Sequence, residues 1–300
     1  PRDNQPSTFT YLYDTCKTGM LCQESGNNIT RSYSYDSLSR PTTTTVTIDS
    51  KVYHTTVAYD ANTGHQKSII YPNDLVIGSQ YNDLGYLTKL VNASSGYVYQ
   101  ALTDMDANGQ TTQYTLGNEQ LVATASYRHD SGTMKEVKVT RSGTTLHHHR
   151  YLTEDAFMNL TYERNEMTGM EKRYTYDDLH RLTRYQVKQA TPSQDFTVNY
   201  AYDAVGNLLQ KSDYANSYHY ADSNQCAQTS LPANGVCSVT KLDGSQINFD
   251  YDARGNMTTG DSLAMTYNVM DKPLTVNGKG TQTRFTYGPN QMRHKQVRTT

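Results

Sequence analysis

From Phe196 to Tyr202 the chain alternates. Phe196, Val198, Tyr200 and Tyr202 point one way, and Thr197, Asn199 and Ala201 the other. A two-residue period predicts a strand and cannot lie along one stripe of a helix. Shorter versions of the run are Tyr33/Tyr35, Val57/Tyr59, Tyr174/Tyr176, Phe249/Tyr251 and Phe285/Tyr287, each followed by a polar corner. Superposing the corners aligns Tyr35, Tyr59, Tyr81, Met105, Tyr127, Glu154, Tyr176, Tyr202, Tyr251, Tyr267 and Tyr287, with first steps of 24, 22, 24 and 22 residues. Such a period holds two strands and two turns and is too short for two helices with loops. Met105 and Glu154 stand where Tyr is expected. The 49-residue gap between Tyr202 and Tyr251 contains a cysteine-bearing insert at about 213–243 and an eroded unit around Tyr218 and Tyr220.

The corner has its own chemistry. In Tyr202-Asp-Ala-Val-Gly-Asn-Leu208 the Asp203 carboxylate is placed to accept backbone N–H groups just ahead of it, fixing a turn. Gly206 takes a positive φ at little cost and closes a hairpin through a G1-type bulge. The same roles are expected of Asp252 with Gly255, Asp83 with Gly85 and Asp106 with Gly109. Tyr35–Asp36, Tyr59–Asp60 and Tyr176–Asp177 mark further corners of this kind, and Tyr81 and Tyr251 head the corners of Asp83 and Asp252. Where glycine is missing, Ser39, His180 or Asn159 must bear the strain or use another turn, and those units are expected to be less regular. One hairpin is marginal alone, so the hairpins must add laterally. The expected fold is all-β: consecutive antiparallel hairpins in a curved or spiral sheet spanning residues 1–300.

Composition refines this picture. The chain has 26 Tyr, 5 Phe and no Trp, and its mean hydropathy is −0.76. A polar chain rich in Tyr and Thr suits a thin sheet with aromatic layers, not a thick aliphatic core. Net charge is −2 with both signs interspersed, which leaves no basic stripe for nucleic acid. No apolar run is long enough for a membrane-spanning helix. The chain opens in mid-pattern without a signal peptide of its own and reads as a section of something longer.

Candidate chemistry is sparse. Cys16 and Cys22, and Cys226 and Cys237, form two local pairs that lack zinc-knuckle spacing. Two short-range disulfides and free thiols both fit the spacing; disulfides would suggest an oxidising destination. In His147-His-His-Arg150, His147 and His149 share a face if the segment is a strand, giving at most two ligands, so no metal or cofactor is expected. The repeated carboxylates each have a local backbone role, and no nucleophile elbow, zinc helix or phosphate loop occurs. No catalytic residue is assigned.

The recurring Tyr-Asp-Ala-Val-Gly-Asn-Leu (202–208), Tyr-Asp-Ala-Arg-Gly-Asn-Met (251–257) and Tyr-Asp-Asp-Leu-His-Arg-Leu (176–182) resemble the tyrosine-aspartate repeats of Rhs proteins, as does the wording of residues 99–132. The resemblance covers essentially the whole chain. It implies a spiralling β-sheet forming part of a hollow shell. In Rhs proteins and Tc-toxin BC components such a shell encloses a variable C-terminal toxic domain, and teneurins use a related barrel in adhesion. The implied role is a wall segment of a secreted or cell-surface bacterial toxin. Its partners would be the remaining shell and the C-terminal effector of the same polypeptide, with secretion machinery or toxin subunits beyond them. The family's sealing core and its Asp-Pro-containing self-cleavage site have no counterpart, since no Asp-Pro dipeptide occurs. The competing reading is a carbohydrate-binding or adhesion module presenting Tyr, Asn and Asp to a glycan.

Overall fold

The computed structural model describes residues 9–221, 226, 231–232 and 234–300. Much of the loop of the cysteine insert therefore lies outside the described residues. The expected all-β architecture is what the structure shows. Pairings join strands consecutive in the sequence, all antiparallel, as in Val76–Tyr81 with Leu87–Asn92 or Glu171–Tyr176 with Leu182–Lys188. Among the described residues the one helical element is a single 3₁₀ turn, Pro192–Gln194.

Two compact units are present. One contains the described residues up to Ser32 with Val46–Val52 and Val198–Thr300; the other contains Tyr33–Thr45 and Tyr53–Thr197. Both have thin cores. In the first, Ile29, Val239 and Cys237 are fully buried; in the second, Ala101, Ala123 and Val187 are. A polar, Tyr-rich chain has little aliphatic bulk to stack deeper, so lateral hydrogen bonding and aromatic rings carry much of the cohesion.

Strands end at the corner residues that the repeat aligned. Lys51–Tyr59, Val98–Met105, Thr144–Glu154, Phe196–Tyr202 and Thr281–Tyr287 all stop there. Two more corners join the series: Thr10–Tyr13 and Ala215–Tyr220. Tyr220 pairs with Val236 across the cysteine insert, so the eroded unit is a full hairpin with an enlarged loop.

The alternation does not run unbroken into the corner. Tyr202 faces Leu208 while Ala201 faces Gln210, which leaves Leu209 as a bulge residue. The same skip recurs at Lys67, Thr88, Lys135, Thr183 and Thr258, and at Cys22, Cys237 and His294. A bulge increases local twist and re-aims the next side chain. The four side chains from Phe196 to Tyr202 are therefore not equivalent. Val198 is buried, Phe196 at the strand's start is exposed, and Tyr202 sits beside the bulge.

Candidate functional site

The repeated corners are the most organised polar features of the molecule. In the corner after Tyr202, the Asp203 N–H donates to Asn207 O (3.0 Å), and the Gly206 N–H donates to Asp203 O (3.2 Å). Asp203 Oδ1 accepts from the N–H groups of Val205 (3.0 Å) and Asn207 (2.7 Å), and Oδ2 from the Asn207 side chain. Asp36, Asp106, Asp177 and Asp252 hold their corners the same way. Burial opposes the ionised form of Asp203, but the bonds from Asn207 and Val205 outweigh it and hold this carboxyl below the usual carboxylate value. Asp60 serves a loop one residue longer, accepting from the N–H groups of Asn62 and Thr63, with Gly64 at φ 74°.

Three expectations change here. Asp83 does not hold its corner: Asn82 Oδ1 accepts the Leu84 and Tyr86 N–H groups, and Asp83 stands at the exposed next position. In the corner after Glu154 the left-handed residue is Met158 (φ 65°), not Asn159. The corners lacking glycine are no less regular. Ser39 (φ 63°) and His180 (φ 60°) keep both backbone hydrogen bonds of the glycine corners. Single side chains tolerate that region at modest cost when five hydrogen bonds fix the turn. Gly206, at φ 96°, lies further out than either Ser39 or His180. Replacing it with the β-branched Val is expected to cost about 1–3 kcal/mol, read as a lower thermal midpoint; an unchanged midpoint would contradict the turn assignment.

The corner tyrosines add a second set of bonds, from one corner to the one before. Tyr176 Oη donates to Leu160 O (2.8 Å), the residue facing Glu154. Tyr127 reaches Thr111 O, which faces Met105, and Tyr59 reaches Pro41 O. In the other unit, Tyr220 donates to Leu208 O, Tyr251 to Val236 O, Tyr267 to Met257 O and Tyr287 to Pro273 O, all within 2.8–2.9 Å. Each acceptor is the first strand residue after the preceding corner. Phenylalanine could supply the ring but not this hydroxyl, which accounts for Tyr over Phe.

Glu154 breaks this rule and is compensated. It stands at a Tyr position but cannot donate when ionised. The acceptor that a tyrosine would reach, Met134 O, takes a hydrogen bond from Arg128 Nη1 instead (3.2 Å), and the same guanidinium pairs with Glu154 at 2.9 Å. Arg128 Nη2 also donates to Tyr151 O.

The His147–Arg150 run lies in the strand Thr144–Glu154, and His147 and His149 do share a face, their rings 6.3 Å apart. Sequence reasoning missed what meets them. Glu163, 6% exposed, accepts from His149 Nε2 (3.0 Å), Lys172 Nζ (2.9 Å) and Tyr174 Oη (2.9 Å). Burial alone would raise this carboxyl, but its three partners outweigh the effect and hold it below the ordinary glutamate value. Burial and the facing carboxylate push the Tyr174 hydroxyl up. His148 points the other way, to Glu136. The available signal was the alternation of Leu160–Asn165, which puts a charged Glu163 on the face carrying Tyr151. No group of three His, Cys, Asp or Glu side chains among the described residues is arranged to hold a metal ion.

Cys16 is joined to Cys22 and Cys226 to Cys237, each with Cα atoms 5.5 Å apart. In both pairs the second cysteine occupies the bulge next to a corner with an enlarged loop. A separate open groove of about 630 Å³ lies between the corners at Asp60 and Asn82. It contains the stacked rings of His65 and Tyr81, 4.6 Å apart, with Asp83 and Lys67 beside them.

No profile of a known protein family matches the chain, and no curated protein sequence matches it. Solved structures do. A structure of the Photorhabdus luminescens Tc holotoxin pore is 15% identical over 96% of this chain, with a TM-score of 0.69. The TcdB2-TccC3 crystal structure is 16% identical over 97%, with a TM-score of 0.71. The form without the hypervariable C-terminal region is 16% identical over 98%, with the same TM-score. The chain spans 16–17% of the length of these solved chains. At such identity the similarity is one of fold.

Proposed function

We propose that this chain is a wall segment of a larger bacterial shell that contains a toxic effector, the effector lying at the C-terminal end of the same polypeptide. The observation that carries this reading is the fold likeness to the TcdB2-TccC3 and Tc holotoxin structures over nearly the full chain. The corner ladder supports it. Within each unit, seven corner tyrosines in all donate a hydroxyl to the corner before, beside the strand pairing, so a wall can lengthen by repetition without a thick core. Its role is containment and not catalysis: a closed wall keeps an attached polypeptide away from the producing cell until delivery outside it. The corner Asp and Gly residues set the wall's edge, the two disulfides clip its enlarged corner loops, and the oxidised cysteines suit a secreted or surface location.

Limited proteolysis of the full parent polypeptide tests this. The C-terminal segment is expected to resist cleavage while the wall is intact and to become cleavable when a corner glycine such as Gly206 is replaced by Val. Equal cleavage in both forms would refute containment. The groove beside His65 and Tyr81, with its aromatic stack and flanking carboxylate, favours glycan binding as the second reading. Retention of the folded chain on a glycan array would support that reading.

A further inference from the structure

In the unit that contains both ends of the described chain, early hairpins meet the last strands. Tyr11 Oη donates to Pro289 O (2.7 Å), Asn27 Nδ2 donates to Tyr287 O (2.8 Å), and Lys295 Nζ pairs with Asp49 (2.5 Å). Between these polar contacts Ile29, 1% exposed, packs on Gly288 so closely that a Cβ there would stand 3.2 Å from Ile29 Cγ2. Its centre at Ile29 is closed to solvent, Tyr11, Asn27, Asp49 and Lys295 at its margins are exposed, and no strand pairing among the described residues spans it. Side chains hold it, two of them donating to backbone carbonyls.

His294 lies in this seam as the bulge residue of Arg293–Thr299. Its ring is hydrogen-bonded to the Asn27 backbone, whereas Nδ1 is buried with no partner. A bare imidazole nitrogen in such a place is tolerable while the ring is neutral. Protonation would put an N–H there with nothing to accept it, on a nitrogen that solvent does not reach. The charges around the ring do not rescue it. Arg31, bonded to Glu24 at 3.2 Å, and Lys295 both oppose a second positive charge; Asp49 favours one but is already engaged by Lys295. Burial first, with help from Arg31 and Lys295, holds the His294 imidazole below its ordinary value.

We propose that this contact is an acid-released clasp, in which protonation of His294 parts the early hairpins from the final strands while both keep their own strand pairing. The sign follows from linkage. A ring that binds its proton less readily in the closed state contributes stability above its free value of 6.5, and that contribution is lost as pH falls through the closed-state value. Neither containment nor glycan binding is needed for this device, so its test stands apart from theirs.

Hydrogen exchange on the 300-residue chain at pH 7.5 and pH 5, corrected for the intrinsic pH dependence of exchange, reads the clasp directly. Amides of residues 26–31 and 287–295 are expected to lose protection severalfold at pH 5, while those of 171–188 hold theirs. His294→Gln, which keeps a neutral hydrogen-bonding side chain, is expected to abolish the acid effect. Full protection of the wild-type seam at pH 5, or an undiminished acid effect in the variant, would overturn the proposal. Should the variant fail to fold, the imidazole titration of the wild type by NMR decides: a midpoint below 6.5 supports the clasp, and one at or above it refutes it.

Discussion

Replacing Glu163 with Ala is expected to lower stability by about 2 kcal/mol, because it leaves the half-buried Lys172 ammonium without its counter-charge and removes the acceptor of Tyr174 and His149. The loss should centre on the strands Thr144–Glu154 to Leu182–Lys188, so chemical denaturation followed by exchange in those segments is the measurement. Glu163→Gln separates charge from shape. It keeps an acceptor oxygen for Tyr174 but loses the ionic part, and should cost less than Ala. The two proteins should also differ in their response to acid. Glu163 is held below its ordinary 4.5, so its ionic contribution is present above that value and disappears as pH falls through the folded-state value. The gap between wild type and Glu163→Gln should therefore narrow on acidification below 4.5. A gap that widened there, or an Ala variant as stable as wild type, would show that the cluster does not hold this part of the sheet.

The repeat frame was legible because its two determinants are local. Side-chain alternation shows in runs such as Phe196–Tyr202, and a turn-forming Asp shows wherever it precedes a glycine by three residues, as Asp203 precedes Gly206. Local signals were also sufficient for the corner tyrosines, although not for the reason each is a tyrosine. The acceptor of Tyr251 is Val236 O, one corner earlier, and no local pattern reveals it. The bulge was hidden for a related reason. It shifts register between two strands and so is a property of a pair, not of either sequence. Its trace is a recurrent Thr, as at Thr88 and Thr183, whose hydroxyls donate to Gln80 O and Thr175 O on the partner strand. Asp83 misled because Asn82 and Asp83 are both able turn formers; position relative to Gly85 decides between them, and Asn82 lies three residues before it. Glu163 was invisible as a cluster because its partners come from the two strands that flank its own.

Glu154 poses the sharpest test of the corner rule, because it is a corner that violates the rule and is repaired by a residue elsewhere. Glu154→Ala should cost about 3 kcal/mol, since it leaves the Arg128 guanidinium, 16% exposed, with backbone acceptors but no counter-charge. Glu154→Tyr restores the usual corner residue but should still destabilise: the new hydroxyl and Arg128 would compete for Met134 O, and the arginine's charge would remain unpaired. Arg128→Leu alone leaves the Glu154 carboxylate, 12% exposed, without its counter-charge and removes a donor from Met134 O and Tyr151 O. If the pair truly substitutes for a tyrosine hydroxyl, combining Arg128→Leu with Glu154→Tyr should recover most of the loss, because the tyrosine then reaches Met134 O as Tyr176 reaches Leu160 O. The double-mutant cycle should show a favourable coupling of about 2 kcal/mol or more. Additive losses in the double variant would mean that Arg128 and Glu154 act independently, and that the hydroxyl ladder is not what links this corner to its predecessor.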